Sequence, residues 1–184
     1  MPPRATPGDY QAHVEAGAVT IGAEFSAHSV PAPQGVLSTD DYIVVEVGFF
    51  GPPEAHATIS ANDFSLRVND KKSALRSEPY SMIFGSLKDP EWEPPVPVES
   101  KGGKTSLGGG GGGNDSPPVK PKPPFSLQRT WQQNVQKAAL PEGDRLLPAA
   151  GLLFFRYSGQ AKGIYSVELI YAGAAGKATL ALHP

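Results

Sequence analysis

The sequence predicts an all-β fold, a two-layer sandwich of about seven strands interrupted by a Pro/Gly-rich insertion that carries one α-helix. Three observations predict it. Apolar residues recur at every second position in most of the apolar stretches, the spacing of a strand with one buried face. The excess of Gly and Pro, 21 and 20 of 184 residues, gathers at the N-terminus and between Pro90 and Pro124. Only one stretch, after Pro124, repeats apolar residues about every four positions, which is the helical period.

The opening Met1-Pro2-Pro3-Arg4-Ala5-Thr6-Pro7-Gly8 has the composition of a linker, so residues 1–17 are expected to be a flexible N-terminal arm and 18–184 a single domain. Val19, Ile21, Ala23 and Phe25 then alternate with small or polar neighbours as a first strand. A loop with Pro31, Pro33 and Gly35 and a Thr39-Asp40-Asp41 turn lead into the strongest strand, Tyr42 to Phe50, rich in β-branched and aromatic residues. Ile43, Val45, Val47 and Phe49 form its expected core face, with Tyr42, Val44, Glu46 and Gly48 on the other. Gly51-Pro52-Pro53 stops it, because proline cannot donate to a ladder. Phe64, Leu66 and Val68 face inward on the next strand, and Asn69-Asp70-Lys71-Lys72 turns it toward a short return at Ala74-Leu75. Tyr80 to Phe84 reads as one more strand, ended by Gly85.

Residues 88–124, with an unbroken Gly108 to Gly113 run and Pro117-Pro118-Val119-Lys120-Pro121-Lys122-Pro123-Pro124, hold too little apolar surface to offset ordering entropy and are expected to be disordered. From 125 to 140, Leu127, Trp131, Val135 and Ala138 or Ala139 make an apolar stripe, with Pro124 suited to a helix start and Pro141 and Gly143 to its stop. Gly151 to Tyr157, Ile164 to Tyr171 and Lys177 to Leu182 complete the chain as a three-stranded meander. The total of about seven is the number a two-sheet sandwich needs.

A hydrophobic content of 39% suits one core, while a net charge of −2 and a pI near 6.1 supply no basic field for nucleic acid or anionic membrane. The absence of cysteine removes disulfides and thiolate sites together. No run is long enough to insert in a bilayer, and Met1 to Tyr10 lacks the pattern of a signal peptide, so an exported form would have lost its signal.

Local chemistry is sparse. Lys101-Gly102-Gly103-Lys104-Thr105 falls short of a phosphate loop, which needs Gly where Val98 stands. His13, His28, His56 and His183 are scattered, with no metal-ligand spacing, and no activated serine motif occurs. Asp40, Asp41 and Asp63 have the oxygen ligands of a calcium site, but they suit turn capping better. Pro118 to Pro121 matches PxxP, and Asn114-Asp115-Ser116 matches a glycan sequon followed by proline. The most unusual cluster is Asp89, Glu91, Trp92 and Glu93. An aromatic face flanked by carboxylates can stack on a sugar or anchor a partner protein, and the bland alternative is that Trp92, like Trp131, packs onto the sheet. The expectation is a non-catalytic module without metal or cofactor.

Tyr42 to Phe50 followed by Asp63-Phe64-Ser65-Leu66-Arg67-Val68-Asn69, and Gly151-Leu152-Leu153-Phe154-Phe155 with Val167-Glu168-Leu169-Ile170-Tyr171, resemble the bacterial extracellular immunoglobulin-like domains typified by the mycobacterial immunoprotective antigen. The stretch Leu87-Lys88-Asp89-Pro90-Glu91-Trp92-Glu93-Pro94-Pro95 resembles an acidobacterial family of unassigned role. The first resemblance implies an extracellular or periplasmic immunoglobulin-like sandwich that binds a protein or cell-surface polymer; it does not account for the insertion. The alternative is a self-assembling structural subunit in which Gln11 to Ser26 completes a neighbour's sheet.

Overall fold

The computed structural model describes residues 1–33, 35–93 and 122–184. The glycine run, the PxxP stretch, the sequon, residues 101–105 and most of the expected disordered insertion lie outside them. Along the chain run β1 (Ala12–Ala16), β2 (Val19–Phe25), β3 (Ser29–Ala32), β4 (Gly35–Thr39), β5 (Tyr42–Phe50), β6 (His56–Ile59), β7 (Phe64–Val68), β8 (Leu75–Glu78) and β9 (Leu87–Lys88). After the insertion come α1 (Phe125–Ala138), β10 (Gly143–Leu146), β11 (Ala149–Arg156), β12 (Val167–Gly173) and β13 (Gly176–Leu182). The chain is therefore mostly β with one α-helix among the described residues, as expected. Its strands number thirteen there, because six short ones, β1, β3, β4, β6, β9 and β10, occupy stretches that did not read as strands.

Eight strands form one antiparallel sheet in the order β1-β2-β5-β11-β8-β7-β12-β13. The sheet curls until its outer strands, β1 and β13, lie side by side, and the Gln11 amide donates across the gap to the His183 carbonyl at 2.6 Å. It is close to a barrel. The interior is one cluster: Ile43, Val45, Val47 and Phe49 face Phe64, Leu66, Leu169 and Tyr171 across it. Phe49 meets Phe64 and Tyr171 edge-on at 6.0 and 5.9 Å, the favoured geometry for aromatic rings. The core face expected for the long strand is the observed one.

The other face of β5 is also buried, at all nine positions of the strand. Tyr42 and Val44 lie in a second cluster with Val30, Leu37, Ile83, Leu152, Phe154 and the helix residues Trp131, Val135 and Ala138. The apolar stripe of α1 is thus the lid of an outer layer, laid across β5 and β11. Further along, Tyr10 covers Gly48 and Gly22, where an added Cβ would collide with its hydroxyl and its ring respectively. Arg4 reaches under it: Nε and Nη2 donate to the two carboxylate oxygens of buried Glu46 at 3.2 and 3.1 Å, and the guanidinium lies 4.6 Å from the Tyr10 ring centre. The boundary expected at 17/18 falls inside a hairpin, since β1 pairs with β2 from Ala12 to Ala16.

Two further expectations need correction. Tyr80 to Phe84 is no strand but part of a 3-10 segment, Tyr80–Ser86. Pro79 opens it, and of its residues only Ile83 is buried, in the outer cluster. The loop at Pro31 and Pro33 is the hairpin β3–β4, with Ser29 opposite Ser38 and Pro31 opposite Val36.

Candidate functional site

The helix α1 has a cavity on each flank. On one side an apolar groove of about 410 Å³ runs between the helix and the β3 end of the hairpin, walled by Pro2, Pro31 and Pro33 and floored by Ala32 and Ala138, with Asn134 beside them and the cationic groups of Met1 and Lys137 at its margin. Asn134 and Ala32 also line a smaller pocket of about 100 Å³ that continues toward the helix N-terminus. There Leu127, Trp131, Val36 and Leu37 give apolar walls, and Asp89 and Glu91 form an acidic rim. The two cavities together follow α1 from residue 127 to residue 138, about 16 Å at 1.5 Å per residue.

Local chemistry places the rim. β9 pairs with β4 at only two positions, Lys88 with Ser38 and Leu87 with Thr39. Pro90 then breaks the ladder. The Asp89 side chain accepts the Glu91 N–H at 2.9 Å, its carbonyl accepts the Trp92 N–H at 3.2 Å, and the chain turns off the sheet edge. Lys88 and Asp40 pair across the edge. Among the described residues Asp89, Glu91 and Glu93 have no ion-pair partner.

Of the four residues singled out in the sequence, Asp89 and Glu91 therefore meet on one pocket, while Trp92, half-buried, and exposed Glu93 do not line it. Trp131 belongs to the outer core and shows one edge to the pocket. Sequence reasoning missed Val36, Leu37, Pro31, Pro33 and Asn134. The available signal was the apolar Val30 and Ala32 before, and Val36 and Leu37 after, a Pro33 to Gly35 turn, with Val30 opposite Leu37, a hairpin pattern that the prolines obscured.

On the opposite flank, where β8 leaves β11 after pairing only at Phe154 and Phe155, a polar cleft of about 480 Å³ is lined by Glu78, Tyr80, Lys137, Glu142 and Arg145 over Leu152. Its acids are engaged: Glu78 accepts the Tyr42 hydroxyl at 3.0 Å, and Glu142 accepts the Ala61 N–H at 3.0 Å. Asp63, close by, has its carboxyl held above the ordinary range, first by burial and then by the charge of Glu142. Among the described residues no three His, Cys, Asp or Glu groups gather as metal ligands, and no helix is long and apolar enough to cross a membrane. Compared with known protein families, curated proteins and solved structures, the chain has no significant match in any of the three.

Proposed function

We propose that the chain is a non-catalytic binding module whose partner is a segment of another protein seated in the groove along α1. The observation that carries this is the groove itself: a concave, almost wholly apolar surface of about 410 Å³, continuous with a pocket whose only charged lining is acidic. Prolines wall it with rigid apolar surface that loses no backbone freedom when a ligand arrives. An apolar trough with a few polar groups at one end is the general form of a recognition site. The polar cleft on the other flank fits the role less well, because its carboxylates already serve the fold.

Strands β1, β2, β5 and β11 face β7, β12 and β13 across one interior, and this facing supports an immunoglobulin-like sandwich drawn into a near-barrel. The resemblance to extracellular immunoglobulin-like domains supports a place outside the cytoplasm. The alternative of self-assembly by the N-terminal strand loses its motive, since β1 and β2 find their partners within the chain.

Asn134 tests the groove, because it lies between the two cavities and its side chain makes no hydrogen bond among the described residues. Linear peptides selected from a display library against the intact chain are expected to bind Asn134→Trp at least tenfold more weakly, about 1.4 kcal/mol, with its melting temperature little changed. Equal affinity for both proteins, or no enriched peptide, would remove the groove from the proposal.

A further inference from the structure

We infer that the partner binds as an added β-strand on the open edge of β4, and that it is an extended segment carrying cationic side chains. This rests on the reading that the surface along α1 is a protein-binding site, and it assigns that site its mode of recognition.

The hydrogen-bond alternation of the hairpin decides which groups face outward. In an antiparallel pair, opposed residues alternately exchange both backbone bonds or none. Thr39 N–H donates to the His28 carbonyl at 2.9 Å, so residues 28 and 39 form a bonded pair, and by alternation so do Val30 and Leu37. Ser38 and Val36 fall in the other class, and their N–H and C=O groups point away from β3. Ser38 finds its outer partner in Lys88. The continuation of β9 would bring residue 90 opposite Val36, but that residue is Pro90, which has no N–H, and the chain has already turned away at Asp89. Among the described residues the outward N–H and C=O of Val36 therefore have no partner, and its side chain is 54% exposed on a β-branched edge residue.

Such an edge invites pairing with another chain. Pro31 opposite Val36 costs the hairpin nothing, because that pair exchanges no hydrogen bond. The pocket between β4 and α1 lies beside the same edge, so alternate side chains of an added strand would enter toward Leu127 and Trp131 or stand outward.

Charge selects the occupant. At the β4 edge Asp89 and Glu91 flank the vacated position, and neither has an ion-pair partner among the described residues, while the cationic groups Lys137 and the Met1 ammonium line the separate groove beyond Asn134. A second copy paired through its own Val36 would bring both sets of carboxylates into one seam, where like charges repel. A strand with Lys or Arg at its ends meets them favourably.

The test uses ¹⁵N-labelled full-length chain and two capped pentapeptides, Arg-Val-Thr-Val-Arg and Glu-Val-Thr-Val-Glu. The basic peptide is expected to slow hydrogen exchange at the Val36 amide at least tenfold and to lose affinity as salt rises, whereas the acidic one leaves exchange unchanged. Val36→Pro, which deletes an N–H the hairpin does not use, should bind at least tenfold more weakly, and Val36→Ala within threefold of the unaltered chain. If Val36→Pro fails to fold, exchange at Val36 in the unaltered chain decides alone. Unchanged exchange at Val36 together with shifts at Ala32 and Asn134 would overturn strand addition and leave the groove standing. Equal protection by both peptides overturns the cationic partner. Protection that rises with protein concentration, without peptide, overturns it in favour of a second copy. No response at edge or groove to either peptide overturns both this inference and the groove.

Discussion

At the level of single residues, the most consequential contact is Arg4 on Glu46. Glu46 is a carboxylate 4% exposed in the middle of the central strand, and a buried charge persists in a sheet only when it is paired and hydrogen-bonded. Arg4 supplies both bonds from a segment whose composition read as a loose arm; a lone Glu in an apolar strand hints at such a partner but does not say which residue it is. Arg4→Ala is expected to lower stability in denaturant titration by about 2–4 kcal/mol, somewhat below a fully enclosed pair because a third of the Arg4 side chain stays in water. Arg4→Met combined with Glu46→Leu should recover most of the loss, since it leaves no unpaired charge buried in the strand, and half-exposed Glu24, which also accepts from Arg4 at 3.1 Å, keeps the Gln11 N–H and water. Asp63 works in the opposite sense. Its raised carboxyl makes the folded chain bind a proton more tightly than the unfolded one, so its contribution is fully favourable below the ordinary Asp range and is lost as pH rises through the folded value. Asp63→Asn should therefore melt higher than the unaltered chain at pH 7, with the difference closing as pH falls below about 4; a gap that persists in acid would refute the assignment.

Among the elements, the ones most readable in the sequence were those with a single buried face. The stripe of α1 and the alternation of β7 and β12 correspond to real one-sided burial. β5 was readable as a strand, but its second buried face was not, because the cover over Tyr42 and Val44 is assembled from separate segments, Val30 and Leu37, Ile83, and α1 residues more than 80 positions away. Tyr80 to Phe84 misled for a related reason: a short apolar run without a clear period does not separate a strand from a tight helical turn. The hairpin β3–β4 was hidden by Pro31, which is tolerated only because it occupies a position where no N–H is wanted. Since α1 is held chiefly by its stripe, Trp131→Ala should cost about 3–5 kcal/mol. Hydrogen exchange would locate that cost: amides of α1 and β3–β4 are expected to exchange faster in the variant, while those of β7 and β12, which face the separate inner cluster, keep their protection. Equal acceleration in both regions would mean that the two layers do not unfold separately.

On the scale of the molecule, period-two spacing on both sides of the insertion did point to one shared interior, and the inner cluster draws on both halves of the chain. What it could not convey is that the sheet bends round until its ends meet, because sheet order depends on pairings between distant segments. The candidate site was legible only as acidity at Asp89 and Glu91, since the pocket joins residues near 36, 90 and 131 that no local spacing links. The meeting of β1 and β13 has a mechanical consequence. The pairing of these two strands is not part of the ladder, so tension applied at Gln11 and His183, which lie together across the gap, acts crosswise to the strands and would peel an outer one from its neighbour a bond at a time. Single-molecule pulling from those two points should give way at low force, and pulling from Ala12 against Phe50, which loads bonds along their strands together, should require distinctly more.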